Sequence, residues 1–422
     1  MSSASPETGF YRWVIVLCSF LILFVSNGMT LGGITVFDLE LLSSLSESAG
    51  RDIALGELKV RDGLMFLTAG LLGMAAGWLA DKVGVKPLIL VGLALLAVGN
   101  FAYARVTSLT DIYAIHVGLG LVLVLCGLII NVYLVSRWFD KNRGLAIGLV
   151  LAGTSLGNAA FPQLNAWLLQ SYDWREVFGY LALIPLLLVP VVVVLVRNSP
   201  DDAARRSGGA APPPVELTGY TLREALASRN FWIICTLAFC TFYSILGMST
   251  VTFVFLSEAQ YPTQLAATGV TILFIGGLVG KVLSGYLAEK LGRKPVLLCG
   301  LGLMLIGSIG LVLAVLQGGE VYIWVGLVGF GFGWGGIYTL IQLLSADLFG
   351  LKSLGKILGA VNVVDTLGGA LGPVMTARLF DQTESFLVSF GVITALLLVA
   401  TVAALFLRME DAAYLQASPA AR

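Results

Sequence analysis

Twelve runs of apolar residues, each long enough to cross a bilayer, constrain this chain more than any other feature of its sequence. A membrane-spanning helix needs about 20 predominantly apolar residues, because each residue adds about 1.5 Å and the hydrocarbon core is about 30 Å thick. No water hydrogen-bonds the backbone inside a bilayer, so runs of this length are predicted to be helices. The predicted spans are 13–36, 63–80, 87–105, 112–136, 144–169, 177–196, 230–256, 266–288, 295–318, 321–346, 356–378 and 385–407.

The composition of the chain supports this membrane architecture. Of its 422 residues, 58% are hydrophobic and only 12% are charged, whereas about 25% of a soluble domain is charged. The formal net charge is zero, so no basic surface requires a nucleic acid partner. The five cysteines lie in apolar runs without the paired spacing of a metal site. The sequence therefore predicts an all-α membrane protein with no metal, no cofactor and no nucleic acid partner.

A polar stretch divides the spans into two halves. Between the sixth and seventh spans lie about thirty polar residues rich in Pro, Ala, Gly and charge, a composition typical of a flexible linker. We therefore predict an N-terminal six-helix bundle at 1–196, a cytoplasmic linker at 197–229 and a C-terminal six-helix bundle at 230–422.

The distribution of Lys and Arg residues predicts the orientation of the chain. With both termini in the cytoplasm, 18 basic residues fall on the cytoplasmic side and six on the opposite side, and cytoplasmic loops are typically the ones enriched in Lys and Arg. The sequence thus predicts a multi-pass protein of the plasma membrane (the cell inner membrane) with both ends in the cytoplasm. The six residues on the opposite side are Arg51, Lys59, Arg61, Arg105, Arg175 and Arg378.

An eleven-residue motif occurs twice. GWLADKVGVKP (77–87) and GYLAEKLGRKP (285–295) are 208 residues apart and match at eight positions when Asp81 and Glu289 are counted as equivalent. An internal duplication of six-helix units is typical of one large transporter architecture. Together with the twelve spans and the central linker, the motif resembles the major facilitator superfamily along the whole chain. The resemblance implies a fold of two six-helix bundles that needs no partner chain, so a monomer is predicted.

In that superfamily the duplicated motif forms a latch on the cytoplasmic side. The resemblance implies that Asp81 pairs with basic or helix-end groups of a neighbouring span, while Gly77 and Gly84 permit close packing and a tight turn. The latch takes part in the conformational cycle and carries no information about the substrate. Its predicted residues are Gly77, Asp81, Lys82, Gly84, Lys86, Gly285, Glu289, Lys290, Gly292, Arg293 and Lys294.

Two segments show a narrower resemblance. Residues 118–157, which include the pattern RWF…RGLA from Arg137 to Ala146, and residues 356–381 look like the monocarboxylate carriers and the related oxalate/formate exchangers. In that branch an arginine in the eighth span binds the substrate carboxylate. The matching position here is Lys281, whose ammonium is a point charge and lacks the planar fork of an arginine.

Lys281 is also singled out by its depth in the membrane. It lies eight residues before Glu289, which is about 12 Å inside the end of the predicted helix. A charge at that depth costs at least a few kcal/mol, so it usually faces a polar cavity on a ligand or ion path. The alternative is a lysine that extends its ammonium to the membrane surface. The small neighbours Gly277, Gly280 and Ser284 favour the protein interior.

Further residues inside the spans are predicted to line the substrate cavity. Asn131 and Tyr133 match polar positions of the carboxylate site in the monocarboxylate carriers. Because they are two residues apart, they point about 200° from one another on a helix, so one of them can brace a helix instead. Aromatic residues in mid-span usually pack. The remaining candidates are Asn27, Trp334, Tyr338, Gln342 and Asn362.

Asp365 is the leading candidate for proton coupling. A carboxylate in the middle of a span pairs with a cation or takes a proton. In one hypothesis it neutralises Lys281 until the substrate anion displaces it. In the other it bonds hydroxyl or backbone groups near a helix break at 368–373 and never titrates. Glu258, at the outer end of its span, is a second coupling candidate or a solvated loop residue, and His116 is a packing residue or a proton relay.

These observations predict a secondary transporter of a small organic anion, a monocarboxylate, coupled to a proton or to anion exchange. A drug/proton antiporter of the same superfamily is the alternative, although the G-P-x-x-G-G signature of that branch is missing from the fifth span. An intramembrane hydrolase would need paired catalytic groups, such as those of the patterns G-x-S-x-G or H-E-x-x-H. We expect neither pattern here, so no enzyme is predicted. A non-transporting sensor would be expected to add a soluble signalling domain.

Overall fold

The structure is a computed structural model, and it describes residues 6–73, 75–139, 142–198, 219–350 and 352–409. In these ranges the backbone is helical apart from short connections and one isolated bridge between Gly219 and Gly350. The first half contains α1 (Pro6–Asn27), a π-helical turn (Gly28–Gly32), a 3-10 turn (Gly33–Phe37), α2 (Asp38–Ala49), α3 (Leu55–Gly73), α4 (Ala76–Val83), α5 (Val85–Tyr103), α6 (Leu109–Leu125), α7 (Leu128–Ser136), α8 (Arg143–Leu168), α9 (Trp174–Leu181) and α10 (Leu183–Leu195). The second half contains α11 (Leu222–Ala227), α12 (Arg229–Glu258), α13 (Thr263–Leu291), α14 (Arg293–Gln317), α15 (Glu320–Trp334), α16 (Ile337–Phe349), α17 (Leu354–Thr383) and α18 (Phe386–Leu405).

Eleven helical segments in the described ranges are long and apolar enough to cross a membrane, and a twelfth is obtained if one bent pair counts as a span. The bent pair is α3 and α4, whose axes differ by 58°. The predicted all-α membrane architecture is therefore confirmed. Several spans differ from the prediction in detail. The first continues to Ala49, the second begins at Leu55 and not at residue 63, and the fourth, sixth and tenth are each divided into two helices.

The chain divides into two compact units. Unit 1 comprises Met1–Ala211 with Phe253–Thr271, and unit 2 comprises Pro212–Thr252 with Ile272–Arg422. The start of α13, which the sequence assigns to the second bundle, belongs to unit 1 because it bonds to α8. The Gln163 side-chain amide donates to the hydroxyls of Thr268 at 3.0 Å and Thr271 at 3.2 Å. The bundle boundaries drawn from the sequence remain a prediction.

The first span departs from α-helical geometry in its middle. The π-helical and 3-10 turns of residues 28–37 leave backbone groups without their usual partners inside the membrane. Two asparagines of α8 satisfy such groups. Asn158 accepts from the Gly32 amide at 2.6 Å, and Asn165 donates to the Gly33 carbonyl at 2.8 Å. The apolar pattern of the span does not reveal this irregular stretch.

Glycines allow helices to approach closely within each unit. In unit 1, a Cβ at Gly157 on α8 would lie 2.0 Å from a carbonyl oxygen of α1. In unit 2, Cβ atoms at Gly368 and Gly372 on α17 would each lie 2.4 Å from a carbonyl oxygen of α12. The helix break expected at 368–373 is wrong, because α17 continues unbroken through Pro373. The glycines of that segment serve helix packing instead.

Candidate functional site

Lys281 lies in the middle of α13, within unit 2, and its side chain is half-buried. The helix packs there against the end of α15 and the residues that follow it. A Cβ at Gly280 would lie 2.0 Å from the Phe332 carbonyl oxygen, and a Cβ at Gly335 would lie 2.5 Å from the backbone nitrogen of Lys281. The backbone around Lys281 therefore packs against protein and not against lipid.

The two aromatic candidates of the tenth span pack against neighbouring helices. The Trp334 Nε1 atom would lie 1.8 Å from a Cβ at Gly277, and the Trp334 ring meets the Phe274 ring at 5.1 Å between centroids. Tyr338 meets the ring of Phe242 on α12 at 5.5 Å. Tyr338 is 36% exposed, and Trp334 packs α15 against α13. Substrate binding by either residue stays a prediction.

Asp365, on α17 of unit 2, is only 6% exposed. The hydroxyl of Thr366 donates to the Asp365 carboxylate at 3.4 Å. The pairing of Asp365 with Lys281 stays a hypothesis.

Asn131 is fully buried in unit 1, at the break between α6 and α7. Its side-chain amide donates to the carbonyl oxygens of Cys126 at 2.7 Å and Gly127 at 2.9 Å. The Gly127 carbonyl also accepts from the Asn131 backbone amide at 3.3 Å. Its Oδ1 atom is buried without a hydrogen-bond partner in the described residues. In this structure Asn131 therefore braces its own helix, and substrate binding by Asn131 stays a prediction.

Tyr133 contacts the first latch motif. Its hydroxyl donates to the Asp81 carboxylate, and the Arg137 guanidinium lies 5.7 Å from the centre of its ring. This position connects Tyr133 with the latch, while its predicted contact with substrate remains untested. The close packing expected at Gly77 is not seen among the residues that the structure describes, where a Cβ at Gly77 would meet no atom within 4 Å.

The last lysine of each latch motif holds the end of a helix. In unit 1 the Lys86 ammonium donates to the Val193 carbonyl of α10 at 2.5 Å. In unit 2 the Lys294 ammonium donates to the carbonyls of Leu405 at 2.9 Å and Leu407 at 2.7 Å, at the end of α18. Cations are favoured at the carboxyl end of a helix because the carbonyl dipoles point there. The lysines of the duplicated motif thus hold the last helix of each half of the chain, α10 and α18.

The other latch residues lie at the turns between helices. Gly84 and Gly292 have φ angles of 91° and 87°, which glycine adopts without strain. Arg293 forms an ion pair with Asp347 at the end of α16. The ammonium groups of Lys82 and Lys290 lie over the aromatic rings of their own helices at 5.0 and 4.4 Å. Gly285 and Glu289 are both exposed near the end of α13.

Three remaining candidates occupy separate positions. Asn27 is the last residue of α1, and its amide donates to the Ser26 hydroxyl at 3.4 Å. Asn362 is half-buried on α17, one turn before Asp365. Glu258 is the last residue of α12 and is exposed, as expected for the solvated loop position that the sequence leaves open.

Unit 1 contains a group of buried charges that the sequence analysis does not predict. The Lys59 ammonium lies 2.5 Å from the Asp38 carboxylate and 3.4 Å from that of Asp62, and Arg61 forms ion pairs with the same two carboxylates. All four side chains are at most 2% exposed. We refer to Asp38, Lys59, Arg61 and Asp62 as the buried ion cluster. The Nδ1 atom of His116 lies 3.7 Å from Asp62.

The buried ion cluster corrects the placement of Lys59 and Arg61. The sequence analysis counts both among the basic residues outside the membrane helices, but α3 begins at Leu55 and buries them. His116 bonds the Tyr103 hydroxyl at 2.6 Å and is fully buried, which favours packing over proton relay. A sequence signal for the burial of Lys59 and Arg61 was available in the run LKVRDGLMF (58–66). In this run charged residues are followed by apolar ones with no proline or asparagine to end a helix, which predicts one continuous helix.

The sequence contains the residue spacing of one catalytic motif, but the structure does not give that segment the geometry of a catalytic site. The pentapeptide GTSLG (153–157) has the G-x-S-x-G pattern of a nucleophile elbow, which requires a sharp turn between a strand and a helix. Here the segment lies inside the continuous helix α8, with Ser155 only 7% exposed. Its glycines pack against carbonyl oxygens of α1. The motif is therefore a helix-packing feature.

Comparison with known families identifies the fold. Residues 15–373, most of the chain, match the Major Facilitator Superfamily. The chain belongs to the Major Facilitator Superfamily. Its twelve-helix transporter fold, predicted from the duplicated motif, is thereby confirmed.

Relatives within the superfamily cover most of the chain at low identity. Monocarboxylate transporter 13 of Rattus norvegicus is 26% identical over 399 residues, which cover 93% of this chain and 88% of that protein. The oxalate:formate antiporter of Oxalobacter formigenes is 25% identical over 325 residues, 74% of either chain. A solved bacterial homologue of the human lysosomal transporter Spinster has a TM-score of 0.73 at 15% identity, covering 99% of this chain and 100% of that one. The solved structure supports the fold alone.

Unit 2 of this Major Facilitator Superfamily member offers complementary chemistry. Unit 2 contains the ammonium of Lys281, the hydroxyl of Tyr338, the amide of Gln342 and the carboxylate of Asp365, and their contact with a substrate or a proton stays a prediction. One ammonium with neutral donors beside it can hold a single carboxylate. In the described residues no group of His, Cys, Asp and Glu has the arrangement of a metal site.

Proposed function

We propose that this transporter moves a small organic anion of the monocarboxylate class by alternating access, coupled to a proton or exchanged for another anion. The observation that carries the proposal is Lys281, an ammonium in the middle of a membrane-crossing helix and half-buried against protein. A bound carboxylate would offset the cost of placing that charge inside the membrane, at least a few kcal/mol. Relatives named for monocarboxylates, or for oxalate and formate, support the same class of substrate here.

Asp365 carries the coupled proton in this proposal. In the empty transporter the charges of Lys281 and Asp365 sum to zero within unit 2. A bound monoanion together with one proton on Asp365 keeps that sum at zero. A dianion would leave an excess negative charge, which is costly in a low-dielectric environment. Charge balance therefore favours a monocarboxylate with one proton over a dicarboxylate.

The proposal includes the location and assembly of the protein. The 18 basic residues on one side and six on the other support a plasma membrane protein with both termini in the cytoplasm. The latch lysines would then hold the helix ends on the cytoplasmic side. We propose that the protein acts as a monomer in the bilayer, as the twelve-helix fold allows.

Thermal unfolding of the purified protein tests the site. Formate, acetate, lactate and pyruvate are added singly to the wild type, to Lys281→Ala, to Lys281→Arg and to the control Lys356→Ala, which changes an exposed lysine of the same unit. A ligand at 100 times its Kd stabilises the folded state by about 2.7 kcal/mol. We expect one or more of these anions to raise Tm in the wild type, in the control and in Lys281→Arg, which keeps the positive charge.

Stabilisation that persists in Lys281→Ala would contradict the proposed site. Uptake of the stabilising anion into proteoliposomes then separates a carrier from a protein that only binds. Uptake by the wild type with loss in Lys281→Ala is the expected result, and binding without uptake would contradict the proposed transport.

A further inference from the structure

A small cavity lies in unit 2, away from Lys281, where the start of α12 meets the end of α16 and the residues after α18. Its volume is about 100 Å³, and its lining includes two arginines, Arg229 and Arg408. It also includes Tyr220 and Ser228, of which the Ser228 hydroxyl already donates to the Ala225 carbonyl at 2.8 Å. Two guanidinium groups with neutral hydrogen-bonding groups beside them are the chemistry of a phosphate-binding pocket.

The walls of this cavity are held by hydrogen bonds within unit 2. The Tyr220 amide donates to the Phe349 carbonyl at 2.8 Å, which fixes the segment before α11 on the end of α16. Phe349 is 1% exposed and forms an apolar wall. A Cβ at Gly219 would lie 2.4 Å from the same carbonyl oxygen, so the close approach requires glycine there. The walls of the pocket are therefore held in place by the fold.

Asn230 fixes the position of Arg408. The Asn230 side chain is 6% exposed, and it bonds the backbone of Arg408 twice. Its Nδ2 donates to the Arg408 carbonyl at 3.0 Å, and its Oδ1 accepts from the Arg408 amide at 3.2 Å. Lys294 bonds the carbonyls of Leu405 and Leu407, which shortly precede Arg408 in the chain. The backbone of Arg408 is thus held in place at the edge of the cavity.

The residues beside the cavity have the character of a membrane interface. Arg229 lies over the ring of Phe406, with its guanidinium carbon 5.3 Å from the ring centre. Phe406 is 55% exposed, and Trp232 is 58% exposed. Exposed aromatic residues of this kind lie at the level of lipid headgroups in membrane proteins. Basic pockets between membrane helices on the cytoplasmic side bind anionic headgroups.

We infer that this cavity binds the headgroup phosphate of an anionic phospholipid through Arg229 and Arg408. Phe406 and Trp232 then contact the glycerol backbone and the upper acyl chains. The exposed aromatic surface favours a lipid over free phosphate, since free phosphate would not use it. A bound headgroup would connect the start of α12 with the end of α18. The inference does not depend on which anion is transported.

Native mass spectrometry of the full-length protein in detergent tests this site. Delipidated protein is titrated with phosphatidylglycerol, with phosphatidylcholine of the same acyl chains, and with phosphatidylglycerol in the presence of inorganic phosphate. We expect phosphatidylglycerol to bind more tightly than phosphatidylcholine. Arg229→Gln and Arg408→Gln should each weaken phosphatidylglycerol binding about fivefold, and the double variant about thirtyfold, as expected for a loss of about 1 kcal/mol per arginine.

Matched variants separate the pocket from general attraction to basic residues. Arg105→Gln removes an exposed arginine that also lies over an exposed phenylalanine, at 3.7 Å, in a different part of the chain, and should leave binding unchanged. The variant Arg229→Lys/Arg408→Lys keeps both charges and should retain binding, which controls for misfolding. Equal binding of both lipids, or an unaffected double glutamine variant, would overturn the inference. Full competition by inorganic phosphate at equal concentration would instead assign the pocket to free phosphate.

Discussion

The substitution Lys59→Met tests whether charge balance in the buried ion cluster stabilises unit 1. With His116 neutral, the cluster holds two carboxylates and two cations, so its charges cancel. Methionine keeps the unbranched shape of lysine and removes the ammonium. Arg61 then faces both carboxylates alone, and one negative charge is left in excess at a site that water does not reach.

The expected loss follows from the burial of that charge. Removing one partner of a buried ion pair costs about 3–5 kcal/mol, because the remaining charge is buried without compensation. Lys59 contacts both carboxylates, at 2.5 and 3.4 Å, so we expect the upper part of that range. For a unit of roughly 200 residues each kcal/mol lowers Tm by about 2–4 °C, which gives a fall on the order of 10–20 °C.

A second substitution separates charge balance from packing. Lys59→Met/Asp38→Asn leaves Arg61 opposite Asp62 and is neutral again, so we expect at least half of the lost stability to return. The matched control is the exposed pair of Arg51 and Glu57, whose atoms are 2.7 Å apart and whose side chains are 55% and 37% exposed. Exposed pairs contribute little, so Arg51→Gln should leave Tm unchanged within error.

Thermal unfolding of the purified variants in detergent, followed by tryptophan fluorescence, measures these effects. The single variant Asp38→Asn is measured as well. If the double variant loses as much stability as Lys59→Met and Asp38→Asn added together, charge balance is not what the cluster contributes. Equal losses in Lys59→Met and Arg51→Gln would also refute the reasoning, because they would show that burial does not decide the cost.

Three further outcomes are expected. Asp365→Asn should abolish pH-driven accumulation of the anion in proteoliposomes and leave anion exchange intact, and unchanged accumulation would remove Asp365 from the mechanism. Gly280→Ala should destabilise by about 1–3 kcal/mol, because its Cβ would lie 2.0 Å from a carbonyl oxygen of α15. Gly302→Ala, with open space at its Cβ, should be neutral or stabilise by up to about 1 kcal/mol; denaturant unfolding measures both. The pKa of Glu224 lies below its ordinary value because the backbone amide and hydroxyl of Thr221 bond its carboxylate. The bonds between Glu224 and Thr221 that cap α11 are thus complete above the ordinary carboxyl pKa, and they are lost as the pH falls through the lowered pKa of Glu224. Hydrogen exchange of the α11 backbone amides should therefore rise only in acid.

The predictable part of the fold depends on local properties of the sequence. Apolar length places the membrane-crossing helices, and the duplicated motif relates the two halves without any knowledge of contacts. The irregular turns at 28–37 are different, because their unpaired backbone groups are satisfied by Asn158 and Asn165 on a distant helix. Local propensity cannot reveal a helix distortion that is stabilised 130 or so residues away along the chain.

The candidate site likewise has features that the sequence predicts and features that depend on contacts outside the local sequence. Lys281 is found from its depth in an apolar run, which is a property of one residue and its neighbours. Asn131 and Tyr133 look alike in sequence, yet one bonds its own helix and the other bonds Asp81 in the latch. Side-chain direction at a broken helix decides between these roles, and the break between α6 and α7 is not visible in the apolar pattern.

The two sets of intramembrane charges differ in a way that bears on proton coupling. In the buried ion cluster each carboxylate lies against two cations of its own unit, so its charge is balanced in the absence of any substrate. The carboxylate of Asp365 instead has a threonine hydroxyl as its hydrogen-bond donor. A carboxylate inside a membrane is stable when it has a cation or when it holds a proton. Substrate binding can change the charge near Asp365 within unit 2, whereas the cluster already contains its own cations. Under the proposed proton symport, the coupled proton is therefore to be sought on Asp365, and we expect Asp38 and Asp62 to contribute to the stability of unit 1.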